Sequence, residues 1–441
     1  MKNSIIDKAI KGMFLVGLFA LAMILGAFMM FYGIPPADSM RNAFFGGMAY
    51  LEKQSTNRKL KLHGDQWKDS RFEKSGVTIH NIEKSYYGYT LVTNGAFNGA
   101  WLLDMKGKVV HQWKAPFRIA FPASRHIVDS VKESRIYWRK AWLFPNGDLL
   151  GIYEALGDTP YGYGLVKVDK NSNVLWGFSD NIHHDLWVAD DGKIYALAHR
   201  IQTSAPSNMQ FINPPFLEDF IVILSPDGKE LDRINILEAI EKSEYASMLY
   251  RLKLDWQYNG DFLHTNTVRI VPESLDGKLP FLKKGLIIIA SRNMNFVGLI
   301  DPGEKKLVWS QNSFWAYLHD PEFTESGTVM LFDNTGDFIA TQSSRILEYD
   351  PMEMKIVWEW NGDKDRPLIS LMRGCKQRLR NGNILVTESD GGRLIEVTRE
   401  KEVVWEYINT ERRMLDGDEK IAVLSGARRY TRAQLPFLAE P

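Results

Sequence analysis

The chain has 441 residues, 45% of them hydrophobic and 24% charged, which is typical of a globular protein with a full core. Its 54 basic and 54 acidic side chains cancel, so the composition argues against a nucleic-acid partner, which usually requires a basic excess. The single cysteine, Cys375, excludes an intrachain disulfide and a metal site built from several thiolates.

The first predicted element is a membrane-spanning helix. No charged residue occurs from Gly12 to Ala37, and about 20 apolar residues are enough to cross a bilayer as a helix. Lysines precede this run, and their positive charge predicts a cytoplasmic amino terminus over 1–11, an anchor over 12–34 and the rest of the chain on the far side. A cleaved signal peptide and a buried soluble helix are the alternatives; the length of the run favours the anchor.

A linker is predicted after the helix, which Pro35-Pro36 ends. Residues 35–80 are mostly polar, and one apolar face within them predicts a short interfacial helix from Ser39 to Gln54. The main domain is therefore expected to occupy 81–441.

A repeat of short β-strands begins near Tyr86. In each copy an apolar strand runs into a polar turn and a second apolar strand follows, as in Leu299-Ile300-Asp301 and then Leu307-Val308-Trp309. A turn with Gly or Asn and a further strand precede each copy. The six copies are centred on Asp104, Asp169, Asp227, Asp301, Asp350 and Thr398.

These repeats predict the fold class. Strands such as Leu286-Ile287-Ile288-Ile289 are apolar on both faces and must be covered on both. Six repeats of three to four strands, each too small to bury its own faces, are typical of a propeller. We therefore predict an all-β protein, a six-bladed β-propeller with an N-terminal transmembrane helix. Tryptophans at the strand ends are expected to pack between neighbouring blades.

Polar residues recur at one position of the repeat. Arg139, His184 and His319 each stand eight residues before the glycine of the blade's first turn. In the fourth blade His264 begins the first strand, and Arg292 follows the second. Because equivalent positions in a propeller lie at equivalent radii, these side chains are expected to converge on the central channel.

Two alternatives to this ligand site stay open at the level of spacing. His184-Asp185 and His319-Asp320 could be structural hydrogen-bond relays, although such relays would not require Arg292. Three histidines could instead hold zinc, but no HxH or HExxH spacing occurs and Arg292 would repel a cation. We therefore predict no metal site.

Several segments resemble the active-site segments of the bacterial arylsulfate sulfotransferases, in the same order along the chain. They are His184-Asp185, His264-Thr265-Asn266, Ser291-Arg292-Asn293, and His319-Asp320 with Leu331-Phe332-Asp333-Asn334 downstream. The resemblance covers residues 90–430 and implies a six-bladed propeller. It also implies transfer of a sulfuryl group from an aryl sulfate ester to a phenol, without a nucleotide sulfate donor or other cofactor.

The resemblance assigns roles by position. It implies that His319 is the nucleophile and that His184, His264 and Arg292 hold the sulfuryl oxygens. The further substrate-binding residues are predicted to be Thr265, Asn266, Arg139 and His183. A neutral imidazole can attack sulfur and carry the sulfuryl group as a sulfohistidine, which divides the exchange into two ping-pong halves.

The location follows from the predicted anchor and its preceding lysines, and the partners follow from the resemblance. We expect a single-pass protein of the bacterial inner membrane with the propeller on the periplasmic side. Its partners are expected to be a small-molecule aryl sulfate donor and a phenolic acceptor. Well-characterised family members carry an amino-terminal β domain used in pairing where this chain has a membrane helix, so a homo-oligomer is left open.

Two other classes of function remain open. A non-catalytic envelope propeller could act as a binding or scaffold module with the same fold, but it would have no need of histidines that face one another. A quinone-dependent dehydrogenase would usually show more repeats and a cluster of calcium-binding carboxylates, which the sequence lacks.

Overall fold

The computed structural model describes residues 2–32, 34–35, 66–124, 126–127, 130–212, 214–250, 252, 260–336, 338–415 and 417–438. The chain divides into two compact units, 1–61 and 62–441. Most of the predicted linker, including the predicted interfacial helix from Ser39 to Gln54, lies outside the described residues.

The amino-terminal unit contains one long helix, α1 (Lys2–Tyr32). Its segment Ile10–Met29 is 20 residues long, and no part of that segment is buried. This is the one described helix that is long and apolar enough to cross a membrane. A signal sequence near an amino terminus meets the same criterion, so length and composition are compatible with both an anchor and a signal.

The main unit is built from strands. Two precede the first blade, β1 (Trp67–Asp69) and β2 (Gly76–His80). The next strands are β3 (Tyr89–Asn94), β4 (Gly99–Leu103), β5 (Val109–Lys114), β6 (Ile136–Leu143), β7 (Leu149–Ala155), β8 (Gly162–Val168), β9 (Val174–Phe178), β10 (Ile182–Val188), β11 (Ile194–Gln202), β12 (Phe216–Leu224) and β13 (Glu230–Asn235).

The second half continues in the same way. Its strands are β14 (Thr265–Ile270), β15 (Ile287–Ser291), β16 (Phe296–Asp301), β17 (Lys306–Gln311), β18 (His319–Phe323), β19 (Val329–Asp333), β20 (Arg345–Asp350), β21 (Lys355–Trp360), β22 (Gly362–Asp363), β23 (Arg366–Pro367), β24 (Cys375–Arg378), β25 (Ile384–Glu388), β26 (Arg393–Val397), β27 (Val403–Ile408), β28 (Arg412–Leu415), β29 (Asp418–Ala422) and β30 (Leu424–Tyr430). Short helical segments occur at Phe117–Ala120, Glu133–Arg135, Ile236–Glu241, Ala246–Tyr250, Glu273–Leu275, Phe338–Thr341 and Arg432–Gln434.

Six antiparallel sheets form the blades. Blades two to five are simple meanders of four strands, β6–β9, β10–β13, β14–β17 and β18–β21. Blade one has the order β30-β3-β4-β5, and blade six has the order β24-β25-β26-β27-β2. The predicted all-β, six-bladed propeller is confirmed.

Strands from both ends of the main unit close the ring. The innermost strand of blade one, β30, comes from the carboxyl terminus, and the outermost strand of blade six, β2, comes from the amino-terminal side. Strand β1 pairs with β29 in a separate three-stranded sheet. Residues 66–80, which the sequence suggested were linker, are therefore folded into the main unit, because their backbone groups pair with strands far along the chain.

Apolar packing covers both faces of the central strands. All residues of β7, β12 and β15 are buried, as the non-alternating sequences predicted. Strand-end tryptophans reach the turn of the next blade and donate their indole N–H to a backbone oxygen there. These bonds are Trp113 to Gly147, Trp358 to Arg399 and Trp405 to Met105, at 2.8–2.9 Å. The last of them joins blade six to blade one.

The inner strands carry a β-bulge near their amino-terminal ends. The pairing register shifts at Arg139 in β6, at His184 in β10, at Asn266 in β14 and just after His319 in β18. A bulge bends the strand and re-aims its side chains. His184 adopts a left-handed backbone, with φ of 53°, at this point. Repeated bulges thus shape one end of the channel.

Candidate functional site

A cavity of about 210 Å³ opens at the amino-terminal ends of the inner strands. Its wall carries three of the four predicted catalytic side chains, His184, His264 and Arg292, together with Arg139. Other side chains on the wall are Tyr137, Glu154, Tyr161, Met372 and Arg373. The structure therefore brings together groups that more than 150 positions separate along the chain, because every blade presents the same strand end to the channel.

His264 is held by a carboxylate. Its Nδ1 lies 2.6 Å from Oδ2 of Asp261. Because a carboxylate accepts, Nδ1 carries the ring proton, and Nε2 is left for the cavity. Burial raises the pKa of Asp261, but His264, His183 and Arg292 together hold that pKa below its usual value. The pair is arranged as in an aspartate-oriented catalytic imidazole.

His184 stands next to His264, with ring centroids 4.8 Å apart. Its backbone N–H donates to Oε1 of Glu154 at 2.7 Å, and Oε2 of that carboxylate accepts from the Tyr137 hydroxyl at 2.8 Å. Burial, followed by the neighbouring histidines, lowers the pKa of His184 well below its ordinary value. The side chain is therefore a neutral imidazole at physiological pH.

His319, the fourth predicted catalytic residue, is buried and is not among the residues that line the cavity, and its hydrogen bonds define its tautomer. Nδ1 lies 3.0 Å from the backbone oxygen of Tyr317 and 2.8 Å from Oδ1 of Asn334. The amide nitrogen of Asn334 donates to two backbone oxygens, which fixes the orientation of the amide. Both partners of Nδ1 are acceptors, so Nδ1 carries the proton and Nε2 carries a lone pair. Nε2 has no hydrogen-bond partner among the described residues.

Two arginines supply positive charge around the histidines. Burial, then the charges of Arg139 and Arg292, lower the pKa of His319 to about 3. The guanidinium of Arg292 lies 4.6 Å from the ring centroid of Tyr317. Arg139 donates to the backbone oxygen of Ser425 at 2.6 Å, which anchors it to blade one. The site therefore combines neutral imidazoles with permanent cations, an arrangement suited to a small oxyanion.

Three predicted substrate-binding residues lie behind the cavity wall. Asn266 donates to the backbone oxygen of Leu318 at 2.8 Å, and Thr265 is completely buried. His183 is also completely buried, and its Nδ1 lies 2.8 Å from Nδ1 of His184. In this structure these residues support the wall and hold His184.

The aspartates that follow the histidines connect neighbouring blades. Asp185 accepts from the backbone N–H of Val268 in blade four at 3.1 Å. Asp320 accepts from the backbone N–H of Lys376 in blade six at 2.8 Å. Neither carboxylate bonds to the ring of the histidine before it among the described contacts. The structure thus gives these aspartates the structural role and leaves His184 and His319 for other partners.

One cluster of residues has the composition of a metal site. Ligand atoms of His183, His199 and Asp219 lie within 4.8 Å of one another, and Nε2 of His183 is 3.9 Å from Oδ1 of Asp219. Tetrahedral zinc would bring its ligand atoms to about 3.4 Å from one another. The backbone N–H of Gly162 donates to Nε2 of His199 at 3.3 Å, and a metal on either nitrogen of that ring would break this bond. The spacing is wider than zinc requires, and Nε2 of His183, Nδ1 of His199 and Oδ1 of Asp219 are all buried without a hydrogen-bond partner among the described residues.

The sequence did not single out Glu154, Tyr161 or Asp261. Asp261 stands three residues before His264, and an acidic residue so close to a candidate histidine was the available signal. Glu154 and Tyr161 come from a strand end and a loop of blade two, and nothing in their local sequence distinguishes them. Their proximity to the histidines depends on blade packing.

Solved structures resemble this chain only distantly. A protein of unknown function from Bacteroides caccae shares 11% identity at a TM-score of 0.49, over 78% of this chain and 98% of that one. A streptogramin B lyase shares 11% identity at a TM-score of 0.41, over 82% of this chain and 97% of that one. Likenesses at this level do not bear on function. No curated protein matches the sequence significantly.

A family match covers well over half of the chain and includes the whole constellation of histidines. The family model described as Arylsulfotransferase (ASST) matches residues 140–410. The match extends from blade two to blade six and includes His184, His264, Arg292 and His319. The chain therefore belongs to the arylsulfotransferase family.

Proposed function

We propose that this protein transfers a sulfuryl group from an aryl sulfate ester to a phenolic acceptor by a ping-pong mechanism, through a sulfohistidine at His319. The observation that carries the proposal is the tautomer of His319. Its Nδ1–H is engaged by two acceptors, and its buried Nε2 carries a lone pair that no described residue uses. A neutral imidazole held in this way is an activated nucleophile that needs no deprotonation.

In the first half-reaction, Nε2 of His319 forms a bond to sulfur while the bond between sulfur and the aryl oxygen breaks. The departing phenolate takes a proton. His264 is the proposed donor: it enters the step with a second proton on Nε2, which it gives to the phenolate, while Nδ1–H stays bonded to Asp261. In the second half, the acceptor phenol returns a proton to His264 and its oxygen attacks sulfur, which releases His319 in its original form.

Charge in the transition state is proposed to be stabilised by fixed donors. Sulfuryl transfer resembles phosphoryl transfer, in which positioned donors around the equatorial oxygens supply most of the catalysis. Arg292 and Arg139 supply cations, and His184 supplies a neutral ring beside His264. The carboxylate of Glu154, which lies on the same wall, is partly compensated by Arg139 at 3.7 Å.

The aryl group is proposed to lie against Tyr161. This ring is within 5.4 Å of the His184 ring and 5.9 Å of the His264 ring, measured between centroids. An aromatic side chain beside the reacting groups can orient a planar substrate by stacking. Met372 and Leu156, on the same wall, add apolar surface.

The decisive experiment replaces the nucleophile. His319→Ala should lower the transfer of sulfate from p-nitrophenyl sulfate to phenol by at least about a thousandfold, the scale of losing a covalent nucleophile. Wild-type protein given ³⁵S-labelled donor without acceptor should carry label on His319. His111→Ala, which removes an imidazole from the outer strand β5, is the matched control. Full transfer activity in His319→Ala would contradict the proposal.

The location is part of the proposal. We propose that α1 anchors the chain in the bacterial inner membrane with the propeller in the periplasm. The apolar segment Ile10–Met29 and the lysines that precede it support this orientation.

A further inference from the structure

A second cavity, of about 140 Å³, lies at the carboxyl-terminal ends of the inner strands. In β6, Arg139 lines the histidine cavity, whereas Lys140, Ala141 and Trp142 line the second one. Residues from the innermost strands of all six blades form its wall, so it lies on the channel, beyond the histidines. Its volume is roughly ten times what one water molecule requires. The proposed reaction makes no use of this space.

Positive charge is in excess on this wall, which carries five basic and two acidic side chains. Three of the bases form ion pairs. These pairs are Lys140 with Asp185 at 2.8 Å, Lys376 with Glu322 at 2.6 Å, and Arg269 with Asp320 and Glu322. The two bases left over are Arg378 and Arg428, which have no carboxylate partner among the described residues. The cavity is therefore locally cationic in a chain of zero net charge.

Arg428 is held in position by aromatic rings. Its guanidinium carbon lies 4.6 Å from the ring centroid of Trp142 and 5.6 Å from that of Trp187. Its N–H donors have no hydrogen-bond partner among the described residues, so they are available to a ligand. Because Arg428 is half-buried, an anion that reaches it is screened less than at an open surface.

We propose that this second cavity binds a small oxyanion, with Arg428 as the main contact and Arg378 as an additional cation at its mouth. The planar fork of an arginine matches the paired oxygens of sulfate, phosphate and carboxylate groups. The anion is either inorganic or the acidic group of an organic molecule, since both present the same oxygens to the arginine. The site is separate from the histidine cavity and does not depend on sulfuryl transfer.

Cys375 offers a direct test, because the only thiol of the chain lines this cavity. The rate at which N-ethylmaleimide labels the detergent-solubilised full-length protein should fall several-fold in sodium sulfate compared with sodium chloride at equal ionic strength. Arg428→Gln should remove this protection, and Arg428→Lys should retain part of it. The same measurement in sodium benzenesulfonate distinguishes an inorganic anion from the acidic group of an organic molecule. Protection by benzenesulfonate alone identifies an organic anion, and protection by neither anion overturns the proposal.

Two control variants test whether the protection of Cys375 arises at Arg428. Arg292→Gln, in the histidine cavity, and Arg118→Gln, on an exposed helix, should keep the protection by sulfate. Equal protection in wild type and Arg428→Gln would overturn the proposal. Equilibrium dialysis with ³⁵S-sulfate gives an independent readout if the thiol reacts slowly. Wild type should bind one sulfate per chain more than Arg428→Gln at matched ionic strength, and equal binding by the two proteins would also overturn the proposal.

Discussion

At the scale of single residues, the hydrogen bonds of three imidazoles separate their roles. Nε2 of His319 carries a lone pair because Nδ1 faces two acceptors, and His264 is bonded through Nδ1 to the carboxylate of Asp261. His184 is fixed through its backbone by Glu154 and through its ring by His183. In the proposed mechanism, these three residues of the same type, at similar positions in three blades, act as nucleophile, proton donor and neutral support.

The dyad of Asp261 and His264 makes a prediction about leaving groups. Asp261→Asn should lower kcat with phenyl sulfate by about two orders of magnitude, because the protonated form of His264 loses its stabilising carboxylate. The loss with p-nitrophenyl sulfate should be smaller, since p-nitrophenolate is a weaker base and needs less help from a proton. Steady-state kinetics on both donors measures the difference. An equal loss on both would contradict proton donation by His264.

Buried histidines predict loss of stability in acid. Burial is the main cause that lowers the pKa of His183 and His319 to about 3, and it also lowers that of His184 and His199. An unfolded histidine has a pKa near 6.5, so below that pH the unfolded chain binds more protons and stability falls. Each such group costs about 2 kcal/mol at pH 5. Burial raises the pKa of Asp219 to about 7, so this carboxyl gains its proton more readily in the folded state and stabilises that state as the pH falls. This one group offsets only part of the loss that the four histidines cause.

The thermal midpoint of unfolding should therefore fall between pH 7.5 and pH 5. His319 itself stays unprotonated over this range, so any loss of activity above about pH 4 should follow unfolding rather than protonation of the nucleophile. Scanning calorimetry and activity measured on the same samples test the order of events. His111→Asn should show the same slope as wild type, and a midpoint that does not change with pH would contradict the argument.

At the scale of elements, the inner strands are joined by buried aspartates that bond to the next strand. Asp320 accepts from the backbone of Lys376 and pairs with Arg269, which stands on the opposite neighbour, β14. The carboxylate is nearly inaccessible, and these cations hold its pKa far below the usual value despite burial. A single side chain thus connects blades four, five and six at the second cavity.

Removing this carboxylate should be costly. Asp320→Ala should lower the free energy of unfolding by about 3–5 kcal/mol, because it leaves the buried charge of Arg269 without its main partner. Asp191→Ala is the matched control, since its pair with Lys193 is exposed and screened by solvent and should change the stability far less. Urea unfolding of both variants measures the difference. Similar stability of the two would show that the buried pair does not contribute as argued.

At the scale of the whole molecule, the propeller is closed by strands from its own two ends. Strand β30 completes blade one and β2 extends blade six, so the ring does not require α1. Blade closure of this kind removes free sheet edges between the first and last blades. Residues 62–441 form a compact unit of their own.

This closure predicts that the main unit is autonomous. A chain that lacks residues 1–61 should be recovered in the soluble fraction with native thermal stability and transfer activity, whereas the full chain should sediment with membranes. Fractionation followed by the p-nitrophenyl sulfate assay measures both properties. An insoluble or unfolded truncated chain would show that the amino-terminal unit is required for folding.

Much of the architecture was determined by the sequence alone. Repeats of apolar strand, polar turn and aromatic strand end are local patterns, and each blade is a local meander, so the fold class and the blade number could be predicted. The equal spacing to the turn glycine also identified Arg139, His184 and His319, because repeats place equivalent residues at equivalent radii. The family resemblance, which rested on short motifs, is confirmed by the match over residues 140–410.

Only the tertiary structure decided what surrounds those residues. Asp261, Glu154 and Tyr161 join the histidines through contacts between blades, and no local pattern indicates such contacts. Thr265, Asn266 and His183 do not line the cavity, and contacts between blades assign Asp185 and Asp320 to the junctions between blades. The pattern of a strand is a short-range property that repeats along the chain, so the sequence alone reveals it. The hydrogen-bond partners across the ring depend on how six sheets pack, so only the tertiary structure reveals them.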